Sequence, residues 1–205
     1  MTFFRTTHDN TSNHNDLPPA RLEAFSDGVM AIIITITVLE LKVPTGVNFH
    51  DLQPLIPLFI AYAISFQTIG TYWNNHHHLL RATKHVSAGI MWANINLLFW
   101  LSLIPFGTGW LGANHGGTAP TVVYAAILLL SALSYTVLQS LVVNHSDNRE
   151  ELIAELNKSR KGFISLICYI LAVIAGFYVP VVSDVLILIV SLMWFIPDKR
   201  VEKHL

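Results

Sequence analysis

The apolar run FSDGVMAIIITITVLEL at 25–41 carries a carboxylate at each end, Asp27 at its head and Glu40 near its tail. A second concentration of reactive side chains is TYWNNHHHLLR at 71–81, with His76, His77 and His78 in succession. A carboxylate inside such a run is expensive unless it is paired or hydrogen-bonded. Its candidate partners are Arg21, Ser26 and the ring nitrogens of the histidines. Asp27 can then join a buried polar network, or cap its helix, where negative charge is favoured. Glu40, at the opposite end of the run, is placed to concentrate cations. A resident metal is not expected from the three histidines. Helix neighbours one and two apart point to different sides, and no further His, Cys, Asp or Glu stands three or four residues away. Enzymatic chemistry is not expected either, because Cys168 and the Ser26-Asp27 pair lack a positioned base.

The elements that must hold these residues are long and greasy. Of the 205 residues, 53% are hydrophobic and 12% are charged, about half the charge of an ordinary soluble domain. An all-α integral membrane protein is the fold class this implies. Crossing the hydrocarbon takes roughly 20 predominantly apolar residues, which gives six spans, at 22–42, 54–76, 87–107, 120–143, 162–180 and 182–197. The first is expected to be a retained helix, since no basic stretch or cleavage site marks a signal peptide. Pro180 and Ser183-Asp184 are expected to form a tight turn between the last two, and GTGWLG at 107–112 reads as a Gly-rich turn.

Charge supports the count. With six spans and an interior N-terminus, eleven of the twelve Lys and Arg residues fall on the cytoplasmic side, leaving Lys42 outside. That is the bias expected of cytoplasmic flanks, and it places both termini inside. Net charge of −1 gives no field for nucleic acid. Residues 1–19 and 198–205 are expected to be cytoplasmic tails around a six-helix transmembrane domain at 20–197. Within that domain, residues 147–161 form an amphipathic cytoplasmic helix with Asp147 as its cap.

At about 100° per residue, Ile32, Ile36 and Leu39 of the first helix share a narrow sector, with Thr35 on its edge. Phe25, Gly28 and Val43 lie near the same stripe, and Asp27 points about 140° away from Ile32. Such a stripe either faces lipid or lines a conduit.

Arg21-x-x-x-Phe25-Ser26-Asp27-Gly28, with Ala31-Ile32 and Thr35 behind it, resembles the RxxxFSD signature of the transmembrane protein 175 family, potassium channels of endosomes, lysosomes and prokaryotes. Trp73-x-x-His76-His77, Asn96-Leu97 and Pro105-Phe106 extend the likeness over about residues 20–197. The single six-span unit resembles the prokaryotic form, which implies a homotetramer in the cell membrane with no cofactor beyond permeant potassium. The resemblance also implies a central pore lined by the first helix of each subunit. Its hydrophobic constriction would lie at Ile32, with further layers at Thr35, Ile36 and Leu39. Asp27 would be held by Arg21, Ser26 and one of His76 or His77, with Phe25 and Trp73 beside it. No carbonyl filter of the TVGYG type is present, so modest selectivity would come from the aliphatic neck. Two rival classes remain: an ion- or proton-coupled transporter using the Asp/His groups as a relay, and a non-conducting scaffold. The lack of an internal repeat and of any expected mid-depth helix break counts against the transporter.

Overall fold

The computed structural model describes residues 18–83, 85–146, 148–158 and 160–195, with the side chains at 151 and 155–158 outside that description. The N-terminal tail up to residue 17, Lys84, the expected cap Asp147 and the C-terminal tail lie outside the described residues.

Eight α-helices make up the described chain. They are α1 (Pro19–Thr37), α2 (Ile56–Arg81), α3 (Ala88–Ser102), α4 (Ile104–Ala113), α5 (Thr118–Asn144), α6 (Arg149–Lys158), α7 (Lys161–Tyr178) and α8 (Pro180–Phe195). Prolines open several of them, in the first turn of α1, α2 and α4, where the missing N–H has no helical partner to lose. Ser87 caps α3, its hydroxyl accepting from the Ile90 N–H at 3.3 Å. A tight 3-10 turn, Val38–Glu40, follows α1, and another, Phe49–Leu55, leads into α2. Asp51 steadies the second by accepting from the Asn48 N–H at 2.8 Å.

Five helical segments have the length and apolarity to cross a bilayer: Pro19–Glu40, Phe49–Arg81, Ala88–Ala113, Thr118–Asn144 and Lys161–Tyr178. The chain is therefore a multi-pass, all-α membrane protein. Helix α8 is equally apolar but is described over only 16 residues. It folds back along α7, and the Trp194 indole N–H near its far end donates to Ser165 Oγ at the start of α7, 2.9 Å away. The reversal occurs at Val179 alone (φ −141°, ψ 84°). Ser183 and Asp184, expected in that turn, instead lie inside α8.

The core lies between α1, α2, α3 and α5, where Met30, Ile69, Leu80, Ile90, Leu97 and Tyr124 are almost completely enclosed. Helix α5 packs on both α3 and α7, and α1 packs on α2, α3 and α4.

The third span differs from the sequence expectation in two ways. The GTGWLG stretch is helical, all of it within α4, and the turn lies beyond it, with Gly116 at φ +79°. Its glycines serve close packing, the usual role of small residues between membrane helices. A Cβ on Gly112 would stand 2.6 Å from the Leu58 Cα, and one on Gly107 would stand 2.9 Å from the Tyr124 ring. The span is also broken at Leu103, where α3 ends and α4 begins. Pro105 accounts for the break, since its ring nitrogen has no hydrogen to offer the carbonyl four residues back. A break was not expected there, so its absence no longer counts against a transporter.

The packing role is testable. Gly112→Val forces the α2 backbone aside and is expected to cost about 1–3 kcal/mol, seen as a lower melting temperature in detergent. Gly70→Ala, whose new methyl group meets nothing within 4 Å, is expected to leave melting unchanged or slightly raised. Equal behaviour of the two variants would contradict the close-packing role.

Candidate functional site

Helix α1 has two faces of opposite character. Leu22, Ser26, Met30, Ile33 and Thr37 recur at intervals of three and four and are buried against the bundle. The other face carries Phe25, Gly28, Ile32, Thr35, Ile36 and Leu39, all exposed. Ile32 is 59% and Leu39 76% exposed, so nothing else among the described residues covers these positions. Thr35 Oγ1 donates to the Ile32 carbonyl at 2.9 Å. With its proton committed to the helix, the hydroxyl presents oxygen lone pairs outward, as a passing cation would require.

The buried face is fastened by a chain of polar contacts across three helices. Ser26 Oγ donates to the Leu22 carbonyl at 2.8 Å and accepts from Asn94 Nδ2 on α3 at 2.9 Å. Asn94 Oδ1 in turn meets His76 Nε2 on α2 at 2.7 Å. All three residues have 0% exposure. Because an amide oxygen only accepts, His76 must donate through Nε2. Its Nδ1 is buried and unpartnered among the described residues, and so is Asp27 Oδ1. A few residues closer to the start of α1, Glu23 Oε1 pairs with His77 Nδ1 at 2.5 Å.

The sequence-expected residues thus divide. Ser26 and His76 meet, through Asn94. His77 reaches α1, but at Glu23. Asp27 has no hydrogen bond to Arg21, Ser26 or either histidine among the described residues, and Arg21, Phe25 and Trp73 are exposed. Asn94 and Glu23 were not singled out from the sequence. The resemblance pointed two residues further, to Asn96, which instead donates to Ser134 Oγ on α5 at 2.7 Å. A polar residue within an apolar span normally faces protein, and that rule applied to Asn94 was the signal available.

Glu40 ends the 3-10 turn after α1 and lays its carboxylate against Gly109 of α4. It borders a cleft of about 500 Å³ with Ile36, Pro105, Phe106 and Trp110. Among the described residues no group of three His, Cys, Asp or Glu side chains is arranged to hold a metal ion.

A family model described as Endosomal/lysosomal potassium channel TMEM175 matches residues 21–105, the stretch that contains the exposed stripe and the whole Ser26–Asn94–His76 chain. A protein of Chryseobacterium sp. (strain P1-3), named a potassium channel, is 47% identical over 185 residues, spanning 90% of this chain and 96% of that relative. A Streptomyces collinus protein, also named a potassium channel, is 33% identical over 126 residues, 58% of this chain and 61% of the relative. Among solved structures, a lysosomal potassium-selective channel TMEM175 homolog from Chamaesiphon minutus superposes with a TM-score of 0.71 at 26% identity, covering 86% of this chain and 96% of that one.

Proposed function

The chain belongs to the transmembrane protein 175 family, and from that premise we propose that it is a potassium channel. Four copies surround a common axis, and the first helix of each faces inward. The observation that carries this reading is the exposed stripe of Ile32, Ile36 and Leu39 on a helix whose other face is fastened by buried polar contacts. An isolated lipid-facing helix would not need such fastening. A helix that must hold its side chains at a fixed radius from an axis would.

In this arrangement Ile32 forms the narrowest ring, with Ile36 and Leu39 as further aliphatic layers. A neck of this kind loses its water when narrow and conducts when it dilates. Passing ions must shed or deform their hydration shells. Potassium holds its shell less tightly than sodium, so the neck favours it modestly. The Thr35 oxygens, already oriented outward, replace part of the lost water. No cofactor takes part; the permeant ion is the ligand. The bilayer lies along α7 and α8, whose exposed side chains are almost wholly aliphatic and aromatic, with α8 as the sixth span. Both termini lie on the cytoplasmic side of a prokaryotic plasma membrane, as the Lys and Arg distribution favours.

Asp27 and Arg21, which find no partner within the described chain, fit a role at the contact between copies, where assembly supplies what the single subunit lacks. Glu40 stands at the outer end of the stripe and raises the local cation concentration. Glu40→Gln is therefore expected to lower single-channel conductance at low salt and to matter little near 1 M, where the screening length falls to about 3 Å. An equal effect at both salt concentrations would remove Glu40 from the outer mouth.

The transporter reading gains one feature from the break at Leu103, yet the break lies outside the Asp27–His76 region. Reconstitution into potassium-loaded liposomes separates the two. A channel gives rapid downhill flux with unitary currents; a coupled transporter gives slow flux tied to a second ion and no unitary events.

A further inference from the structure

A second cavity, of about 190 Å³, lies away from the α1 stripe, between α2, α4, α5 and α8. It sits at the end of the bundle where α2, α5 and α8 begin: Pro57 is in the first turn of α2, His115 in the turn before α5, and Asp184 one turn into α8. Its walls are aliphatic, with Ile60, Ile64 and Ile187 prominent, and its polar groups are few. They are Asp184, Tyr124 and His115, whose exposed side chain forms no hydrogen bond to Asp184 among the described residues. Asp184 Oδ1 is shielded from solvent and has no hydrogen-bond partner among the described residues. The Tyr124 hydroxyl, also at this cavity, is already committed to Ser65 Oγ at 2.7 Å, and Ser65 to Thr108 Oγ1 at 2.6 Å. The Ser183 and Thr121 hydroxyls, outside the cavity lining, are fully buried and likewise have no hydrogen-bond partner among the described residues.

A shielded carboxylate oxygen at the edge of an aliphatic cavity calls for a donor that brings a positive charge. Bare potassium is a poor match, since hard cations want several oxygens and these walls supply few. An organic ammonium group on an apolar stem satisfies both surfaces at once. Its N–H groups donate to Asp184, and its carbons fill the space beside Ile60 and Ile64. Aliphatic walls with a few convergent polar groups are the usual make-up of a small-molecule site.

We propose that this cavity binds a primary ammonium group carried on an apolar stem, anchored by Asp184. Two sources share that chemistry: a free alkylamine and the ethanolamine headgroup of a lipid. The cavity's position at one end of a membrane-spanning bundle suits both. The proposal does not depend on ion conduction, so its failure leaves the channel reading untouched.

The full chain, purified in a neutral detergent, is melted in butylammonium chloride and in potassium chloride at equal ionic strength. Butylammonium is expected to raise the melting temperature saturably beyond potassium. In Asp184→Asn the midpoint concentration is expected to rise on the order of tenfold or more, the loss anticipated for one charge-assisted bond. Ile60→Trp keeps the carboxylate but fills the cavity from its half-exposed rim, and should also abolish the response; it decides the matter if Asp184→Asn does not fold. Native mass spectrometry with phosphatidylethanolamine and phosphatidylcholine of matched acyl chains identifies the source. Preferential retention of phosphatidylethanolamine, lost in the variants, assigns a lipid headgroup, whereas no lipid preference beside a working butylammonium response assigns a free amine. Identical curves in butylammonium and potassium, or an Ile60→Trp response equal to that of the parent chain, would overturn the proposal.

Discussion

Replacing Ile32 with Asn is expected to let sodium pass nearly as readily as potassium, bringing the two permeabilities within about twofold of each other. Little energy separates the two ions. A tenfold preference corresponds to only about 1.4 kcal/mol, the difference between two dehydration costs at one narrow ring. In the proposed pore, an Ile32 ring offers an ion nothing in exchange for its lost water. An Asn ring offers amide oxygens and admits water, so neither ion is stripped and the difference disappears. Total conductance should rise at the same time, because a polar ring stays wet. Bi-ionic reversal potentials read both effects in one preparation. Unchanged permeability ratios in Ile32→Asn, with the assembly intact, would show that the constriction lies elsewhere.

The second large effect is on stability. Asn94→Ala removes the amide that joins α1 to α2 and leaves Ser26 and His76 without their cross-helix partner in a fully buried site. His76 is left with no partner on either ring nitrogen among the described residues, at about 1–3 kcal/mol, while Ser26 keeps its bond to Leu22 and loses one contact, at about 1 kcal/mol, so a total of about 2–4 kcal/mol and a clear fall in melting temperature are expected. Asn96→Ala removes one contact to Ser134 at the edge of α3 and should cost about 1 kcal/mol or less, in line with single polar contacts between membrane helices. Melting of the two variants side by side, in detergent and with the size of the assembly followed, distinguishes the two amides. If Asn96→Ala proved the more damaging, the fastening of α1 would have to be reassigned.

Why Asn96 rather than Asn94 was singled out has a physical reason. Two residues along a helix are about 200° apart, so a small uncertainty in aligning a motif moves an amide from one neighbour to another. The apolar stripe of α1 was easier to read. Its periodicity grouped Ile32, Ile36 and Leu39, and the structure leaves that same face of α1 exposed while burying Met30 and Ile33. Repetition along a helix averages out local ambiguity, and a single polar residue has no such redundancy. The glycines at 107, 109 and 112 misled for a related reason. In isolation they favour a turn, yet Leu58, Glu40 and Tyr124 come close enough to need a residue without a side chain. That demand comes from partners 17 to 69 residues away in sequence, which no local pattern contains. Pro180 did mark the reversal between α7 and α8, but the whole turn was taken up by Val179. Ser183 and Asp184 were thereby freed for the interior of α8, where Asp184 borders a cavity rather than a loop.

The central claim, that α1 borders the conduit, can be read directly by cysteine accessibility. The chain has a single native cysteine, Cys168, which a Cys168→Ser background removes. Cysteines placed singly at Ile36 and Leu39, and for comparison at Phe66 on α2 and Val137 on α5, are exposed to a thiol-reactive cation while potassium current is recorded. Progressive block at positions 36 and 39, slowed by high potassium, with none at 66 and 137, is the predicted result. Block at 66 or 137 with full current remaining at 36 and 39 would put another helix at the conduit and contradict the account.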